Sequence, residues 1–155
     1  MTADLSPRLA AVLKALPLRP GMRVLEVGCG PGALARAIAE RVGPEGHVLG
    51  IDRSPLAIGA AQSAPDRGSL EFRVSSAEEF RLRRDEPPFD LVVAIRVGAF
   101  DGRHPELEAV AMERLAAATT PDASVYIDRG DPLEAVPLHS FSTSRVVGQR
   151  DNAAE

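Results

Sequence analysis

The sequence has few of the residues that build disulfide frameworks, metal clusters and membrane spans. Its 155 residues include one cysteine, which excludes an internal disulfide and any metal site made of several cysteines. The three histidines, His47, His104 and His139, lack the spacing of metal ligands. No apolar run exceeds five residues, whereas a membrane helix needs roughly 20. These absences predict a folded protein without a metal ion or a membrane span.

The net charge and the length of the chain exclude further classes of protein. The 18 basic and 22 acidic side chains give a net charge of −4, which argues against the strongly basic surface of a nucleic-acid-binding protein. The length fits one domain over residues 1–155, with an N-terminal helix at 1–18, a core at 19–131 and a short extension at 132–155. The first residues carry neither the basic nor the apolar segment of a signal peptide, so the expected location is the cytoplasm.

The first segment predicts an amphipathic helix. Leu9, Val12 and Leu16 recur at helical spacing, and Ser6 followed by Pro7 supplies a cap and a first-turn proline. We expect this helix to cover one flank of the core. A lid over a pocket is the alternative.

Short apolar runs then alternate with helical segments. The predicted strands are 23–27, 47–51, 70–74, 90–95 and 124–128. The predicted helices between them lie around 34–42, after Pro55, at 76–80 and after Pro105. This alternation predicts an α/β fold: a Rossmann-like, doubly wound, mostly parallel sheet of five to six strands with helices on both faces.

The C-terminal part gives weaker signals. Residues 131–134 have the pattern of a helix start, but Pro137 would cut that helix short. Residues 141–147 predict one further strand, and the polar segment 149–155 is expected to fray.

A glycine-rich turn carries the strongest chemical signal. The first predicted strand runs directly into Gly28, Gly30 and Gly32, and a helix follows. Glycine allows positive φ and lets a ligand approach bare backbone, while the first turn of a helix offers free N–H groups. Because ligands of open α/β sheets bind at the carboxyl ends of the strands, this turn predicts a binding site.

Asp52 closes the second predicted strand, 20 residues after Gly32. At that distance, a nucleotide-binding fold places a carboxylate on the ribose hydroxyls. The alternative is a cap for the helix that begins near Ser54. The glycine turn upstream favours the ribose interpretation.

Together, these features resemble the class I S-adenosylmethionine-dependent methyltransferases. The resemblance rests on Glu26 with its three alternating glycines, on residues 50–52 and on residues 76–80, and it covers about residues 5–130. In nicotinamide dehydrogenases the third glycine falls one position later, which makes that class a distant alternative. The resemblance implies S-adenosylmethionine as the cofactor.

The resemblance also implies roles around the methionine and ribose parts of that cofactor. Gly28 and Gly30 would present backbone to the methionine half, and Glu26 would organise its amino end. Asp52 would hold the ribose hydroxyls. The other turn residues included in the predicted site are Cys29 and Gly32, and Cys29 is interpreted as a small packed residue rather than a nucleophile.

Around the adenine, the resemblance implies Arg53 packing along the ring and a hydrogen bond from the backbone N–H of Ala77. Ser76 would accept a bond from the adenine amine, where the family often has an aspartate. Ala94 would contribute its carbonyl. Two alternatives stay open: Arg53 as an ordinary solvated arginine, and Ser76 as part of a capping box with Glu79.

The acceptor side is expected at residues 96–104, together with the N-terminal helix and the loop after Asp128. His104 and Asp101 are the candidate bases, although helix-start statistics favour one of them as a cap for the helix after Pro105. Arg96 and Arg103 could hold an anionic acceptor, with solvated arginines as the default. Arg96 also occupies the place where a metal-dependent O-methyltransferase would have a carboxylate.

The sequence thus predicts an S-adenosylmethionine-dependent methyltransferase with a small-molecule acceptor. The acidic balance and the lack of an asparagine-proline-proline-aromatic motif argue against a nucleic-acid acceptor. The alternative is a non-catalytic cofactor-binding or regulatory protein with the same fold. The short C-terminal part predicts a shallow acceptor site or one completed by a second subunit, which makes a homodimer a candidate assembly.

Overall fold

A computed structural model describes residues 5–64 and 68–139 of the chain. The strand predicted at 141–147 and the frayed segment predicted at 149–155 lie outside these residues. Within the two described ranges, no helix is both long enough and apolar enough to cross a membrane.

The described chain alternates helices and strands as far as its third strand. In chain order, the elements are α1 (Pro7–Ala15), β1 (Arg23–Val27), α2 (Ala33–Val42), β2 (His47–Asp52), α3 (Pro55–Gln62), β3 (Leu70–Val74), β4 (Leu91–Ala94), a 3₁₀ turn (Pro105–Leu107), α4 (Glu108–Ala117), β5 (Ser124–Ile127) and β6 (Glu134–Pro137). No helix separates β3 from β4 or β5 from β6. The five strands predicted from apolar runs are all present, with ends shifted by no more than one residue.

The strands form one six-stranded sheet in the order β3-β2-β1-β4-β5-β6. The neighbours from β3 to β5 pair in parallel, and β6 pairs antiparallel to β5. This confirms the predicted mostly parallel, Rossmann-like sheet. Since the chain winds outward in one direction from β1 and in the other from β4, the crevice between these two strands is the switch point where such sheets bind ligands.

Apolar layers cover both faces of the sheet. On one face, α1 and α2 pack with Val24, Val48 and Val93. On the other face, α4 and the segment between β3 and β4 pack with side chains such as Leu25 and Ile51. The central strands are buried on both faces, which explains why they read as continuous apolar runs rather than alternating ones.

The N-terminal helix forms as its sequence predicts. Ser6 caps α1, with its Oγ accepting a hydrogen bond from the backbone N–H of Leu9 at 3.2 Å. Val12, Leu13 and Leu16 are buried on the core side. The expectation that this helix covers one flank of the core is confirmed.

The helix predicted at 76–80 does not form. Residues 77–79 make only a turn, although Ala77 and Phe80 are both buried. The next positions on that helical face, Arg81 and Arg84, are exposed and charged, so a longer helix would have no apolar stripe to bury. The capping box of Ser76 with Glu79 is therefore absent as well.

Two boundaries near the C-terminus also differ from expectation. The helix predicted after Pro105 begins as a 3₁₀ turn and becomes α-helical at Glu108. The helix start predicted at 131–134 is wrong, because the chain there leads into β6. Pro137 ends this edge strand, a place in a sheet where the missing N–H of proline is tolerated.

Candidate functional site

A cavity of about 760 Å³ opens at the switch point of the sheet. The first residues of α1, the glycine turn after β1, the end of β2, the loop after β3 and the loop after β4 form its walls. Most of the predicted site residues line it: Glu26, Gly28, Cys29, Gly30, Asp52, Arg53, Ser76, Ala77 and His104. Residues far apart in the sequence are thus brought to one cavity.

The glycine turn is held by backbone bonds to the end of β2. The N–H groups of Gly28 and Cys29 both donate to the carbonyl of Ile51, at 2.8 and 3.0 Å. Gly28 and Gly30 have φ values of +72° and +53°, a region that glycine adopts without strain. No neighbouring heavy atom of the described residues lies within 4 Å of the position that a Cβ on Gly30 would take. The turn therefore presents bare backbone to the cavity.

Gly32 and Ala94 do not line the cavity. Gly32 is the N-cap residue of α2 with φ of +91°, and a Cβ there would lie 2.5 Å from the Phe72 ring. Packing against Phe72 therefore requires glycine at position 32. Ala94 is fully buried within β4, between its partners Val27 and Ile127. The predicted contact of these two residues with the cofactor thus has no support from their position.

Asp52 joins the glycine turn to the start of α3. Its Oδ2 accepts a hydrogen bond from the N–H of Gly30 at 2.9 Å, and its Oδ1 accepts one from the N–H of Ser54 at 2.9 Å. The cap of α3 is Ser54, whose Oγ accepts from Ala57. The interpretation of Asp52 as the helix cap is therefore wrong. The carboxylate lines the cavity and keeps free lone pairs on both oxygens.

Glu26 is a buried carboxyl group at the wall of the cavity. Its side chain is 3% exposed, and its Oε1 has no hydrogen-bond partner among the described residues. Burial raises the pKa of Glu26 to about 8, and the negative charge of Asp52 adds to the increase, while a hydrogen bond from the backbone of Ala35 opposes it. The carboxyl is thus protonated near neutral pH, and a cationic group bound beside it would favour its ionised form.

The loop after β3 brings a second buried polar atom to the cavity. The Oγ of Ser76 is buried without a hydrogen-bond acceptor or donor in the described part of the chain. Ala77 beside it is 2% exposed, and Arg53 after β2 also lines the cavity. An unsatisfied buried hydroxyl destabilises a protein, so a ligand that bonds to Ser76 would remove this penalty.

Cys29 behaves as the packed residue that the sequence predicts. Burial, together with the charges of Glu26 and Asp52, raises the pKa of its thiol to about 12. The group is therefore a neutral thiol at physiological pH, without the thiolate that a nucleophile needs.

His104 also lines the cavity, and its Nε2 makes no hydrogen bond within the described part of the chain. The residue occupies the N-cap position of the 3₁₀ turn, as the capping interpretation predicts, but its side chain makes no capping hydrogen bond. Its Nδ1 lies 3.3 Å from Oε1 of Glu106, and its backbone N–H donates to Gly98. A Cβ on Gly98 would approach the imidazole to 2.7 Å, so the ring lies directly against the loop after β4.

Asp101, the other candidate base, does not line the cavity. Both of its carboxylate oxygens accept from Nε of Arg103, at 3.0 and 2.8 Å, and Oδ1 also accepts from the Arg103 backbone N–H. The N-cap of the following turn is His104, not Asp101. Of the two predicted bases, only His104 lines the cavity.

The N-terminal helix lines the cavity through Arg8 and Leu9, as predicted for the acceptor side, whereas residues 129–133 after Asp128 do not line it. The sequence did not indicate how Arg8 is held there. Oδ2 of Asp128 accepts from Nη2 of Arg8 at 2.6 Å and from the backbone N–H of Arg96 at 3.1 Å. A single arginine on an amphipathic helix follows no motif, so nothing in the sequence indicated this contact.

The described residues contain no cluster of three or more histidine, cysteine or acidic side chains that could hold a metal ion. Asp128, which follows the fifth strand, is instead engaged by Arg8 and by the backbone of Arg96.

Comparisons with known proteins agree on one family. A family model described as "Methyltransferase domain" matches residues 18–146. A nocamycin O-methyltransferase of Saccharothrix syringae is 38% identical over 108 residues, which cover 69% of this chain and 37% of the relative. A trans-aconitate 2-methyltransferase of Methylobacterium nodulans is 33% identical over 153 residues, covering 98% of this chain and 55% of the relative.

A solved structure supports the same fold. The S-adenosylmethionine-dependent methyltransferase from Mesorhizobium loti superposes with a TM-score of 0.63 at 22% identity, over 79% of this chain and 53% of that chain. The present chain thus spans roughly half, or less, of the length of the proteins that it matches.

Proposed function

Because this chain belongs to the methyltransferase domain family, we propose that it binds S-adenosylmethionine and transfers a methyl group to a small-molecule acceptor. The observation that carries the proposal is the meeting of Glu26, the glycine turn, Asp52 and Ser76 at one cavity. When bound, the cofactor supplies a methyl group activated by a positively charged sulfur.

The residues present fit such a cofactor. The buried Oε1 of Glu26 and the buried Oγ of Ser76 both line the cavity without partners in the described chain, one from β1 and one from the loop after β3. The cofactor has an ammonium group at one end and an adenine amine at the other, which would satisfy these two atoms. Between them, bare backbone at Gly30 leaves room for a close approach.

We assign the cofactor contacts accordingly. Gly28 and Gly30 would bind the methionine half through backbone, with Glu26 near its ammonium group. Asp52 would accept hydrogen bonds from the ribose hydroxyls, which are stronger because the acceptor is charged. Ser76 and the N–H of Ala77 would bind the adenine edge.

The cavity as a whole has the size of a small-molecule site. The volume of about 760 Å³ lies within the range of roughly 300–1,000 Å³ that is usual for small-molecule sites. The two relatives described above are named for nocamycin and trans-aconitate, both small molecules. The walls formed by α1 and the loop after β4 would align the acceptor, which is the main contribution of a protein to a displacement of this kind.

The direct test is titration calorimetry with S-adenosylmethionine, S-adenosylhomocysteine and NAD. We expect micromolar affinity for both adenosyl ligands and much weaker binding of NAD. Binding of NAD alone would contradict the proposal. Tight binding of the adenosyl ligands without methylation of phenols, amines, thiols or carboxylates would favour the regulatory alternative.

Replacing Asp52 by alanine is expected to weaken binding of S-adenosylhomocysteine by roughly 10- to 100-fold. The variant loses charge-assisted hydrogen bonds to the ribose, which contribute about 1.5–3 kcal/mol. It also loses the bond that holds Gly30. Calorimetry measures the change, and a melting curve shows that the protein still folds.

The matched control for Asp52 is Asp122→Ala, which removes an exposed carboxylate that does not line the cavity. It should leave the affinity unchanged. An unchanged affinity in Asp52→Ala as well would limit Asp52 to its structural bonds with Gly30 and Ser54.

Replacing His104 by alanine is expected to lower the turnover number by up to roughly 10²–10⁴-fold, the range of a general base, without changing the affinity for S-adenosylhomocysteine. Glu106 orients the ring through Nδ1, so Glu106→Gln should give a smaller decrease. The pH profile of turnover separates the roles, since loss of a base removes a titration step. If neither variant changes turnover, the acceptor needs no base from this wall.

A further inference from the structure

Arg96 adopts a backbone conformation that costs energy for any residue other than glycine. It follows β4 directly, at the wall of the cavity, and its φ is +56°. In the described ranges, the other non-glycine residue with positive φ is Asp85, in an exposed turn remote from the cavity. Strained backbone of this kind concentrates at functional sites, where surrounding contacts hold it in place.

Two side chains hold Arg96 in this conformation. Its N–H donates to Oδ2 of Asp128 at 3.1 Å, and its carbonyl accepts from Nη2 of Arg103 at 2.8 Å. The Asp128 side chain that accepts the first of these bonds is 8% exposed, whereas Arg96 itself is exposed. The N–H and the carbonyl of Arg96 are therefore both hydrogen-bonded, and its side chain takes no part in these bonds.

The charges around Arg96 leave one positive charge without a counter-ion. Arg8 pairs with Asp128, and Arg103 pairs with Asp101. Among the residues that the structure describes, none forms a hydrogen bond or an ion pair with the guanidinium of Arg96. The loop after β4 thus presents one exposed, unpaired guanidinium at the cavity, that of Arg96. Arg53, the other lining arginine without a described partner, lies after β2 beside the carboxylate of Asp52.

We infer that Arg96 determines the specificity for the acceptor by binding a carboxylate group that the acceptor carries. The inference rests on the proposed function and names the class of acceptor. A guanidinium binds a carboxylate through two parallel hydrogen bonds, which fixes the orientation of the acceptor as well as its position. One unpaired positive charge matches a singly charged carboxylate, whereas a phosphate dianion would leave excess negative charge on this wall.

The cofactor has a carboxylate of its own, on its methionine part, and the test must separate the two. S-adenosylhomocysteine contains that carboxylate, and 5′-methylthioadenosine lacks it. If Arg96 binds the acceptor, removal of its side chain leaves the affinity for both compounds unchanged. Weaker binding of S-adenosylhomocysteine alone would assign Arg96 to the cofactor and overturn the inference.

The test compares Arg96→Gly with the wild type in a methylation assay with labelled S-adenosylmethionine. The probes are aliphatic and aromatic carboxylic acids, each paired with its own primary amide. We expect the wild type to prefer the acids, and Arg96→Gly to lose at least about tenfold of that preference in kcat/KM, mainly through KM. Arg96→Lys keeps the charge without the paired donors and should retain part of the preference.

Asp85→Gly is the matched control, because it relieves positive φ at an exposed turn outside the cavity. Both glycine variants should melt no lower than the wild type, while only Arg96→Gly changes the preference for acids. Equal rates for acids and amides in the wild type would overturn the inference and leave cofactor binding intact. A failure of the wild type to bind S-adenosylhomocysteine would contradict the proposed function itself.

Discussion

Replacement of Gly30 by valine is expected to abolish binding of S-adenosylmethionine and S-adenosylhomocysteine, with affinity falling by more than about 100-fold, or about 2.8 kcal/mol. The position of a Cβ on Gly30 is open, and the residue lines the cavity. A branched side chain would therefore occupy the space in which the cofactor approaches backbone. The φ of +53° adds strain for any residue with a Cβ. Calorimetry with both ligands measures the loss.

The effect of the side chain on binding must be separated from its effect on folding. Gly43→Val is the matched control: Gly43 also has positive φ, +72°, and open space around its Cβ position, but it ends α2 away from the cavity. Both variants should lose similar stability, and only Gly30→Val should lose the ligand. If valine prevents folding, alanine at both positions gives the same comparison. Normal affinity in Gly30→Ala and Gly30→Val would contradict the proposed cofactor site.

Replacement of Glu26 by glutamine is expected to stabilise the ligand-free protein above neutral pH. The unfolded chain ionises Glu26 at about its ordinary pKa of 4.5, whereas burial raises the folded-state pKa to about 8. The folded state thus binds more protons between these values, and the free energy of unfolding falls as pH rises through this window. A neutral amide of the same shape avoids this loss, which is on the order of 4 kcal/mol above pH 8.

Urea unfolding at pH 5 and at pH 8.5 measures this effect. We expect wild type and Glu26→Gln to differ little at pH 5 and by several kcal/mol at pH 8.5, on the order given by the pKa difference. Glu113→Gln, an exposed glutamate on α4, serves as the control and should follow the wild type. A parallel pH dependence in wild type and Glu26→Gln would show that Glu26 ionises normally in the folded protein.

Those parts of the structure that depend on local pattern could be predicted from the sequence. The strands β1 to β5 are short apolar runs, and the buried central strands must be apolar on both faces whatever surrounds them. The glycine turn and Asp52 are similarly defined by spacing along the chain. Their predicted meeting at one cavity follows from parallel strand order, because the carboxyl ends of the strands share one edge.

The remaining features depend on contacts that no local pattern contains. Ser76 and Glu79 match a capping box, but a helix there would turn charged side chains toward the core. Such a helix would bury no apolar stripe. The positive φ of Arg96 is held by the side chains of Asp128 and Arg103, which bond to its N–H and its carbonyl. Neither bond follows from a local sequence pattern. Arg8 reaches the cavity only because α1 packs beside α2. These contacts are decided by tertiary packing.

The carboxylate of Asp128 gives the N-terminal helix and the loop after β4 a common point of attachment. One oxygen, Oδ2, receives both the guanidinium of Arg8 and the amide of Arg96. A helix imported from a relative therefore keeps this attachment only if it supplies a cation at position 8. A loop imported at 96–104 keeps it through the backbone amide of residue 96, for any residue there except proline. The N-terminal helix and the carboxylate after β5 thus have to change together, whereas the loop after β4 can change alone.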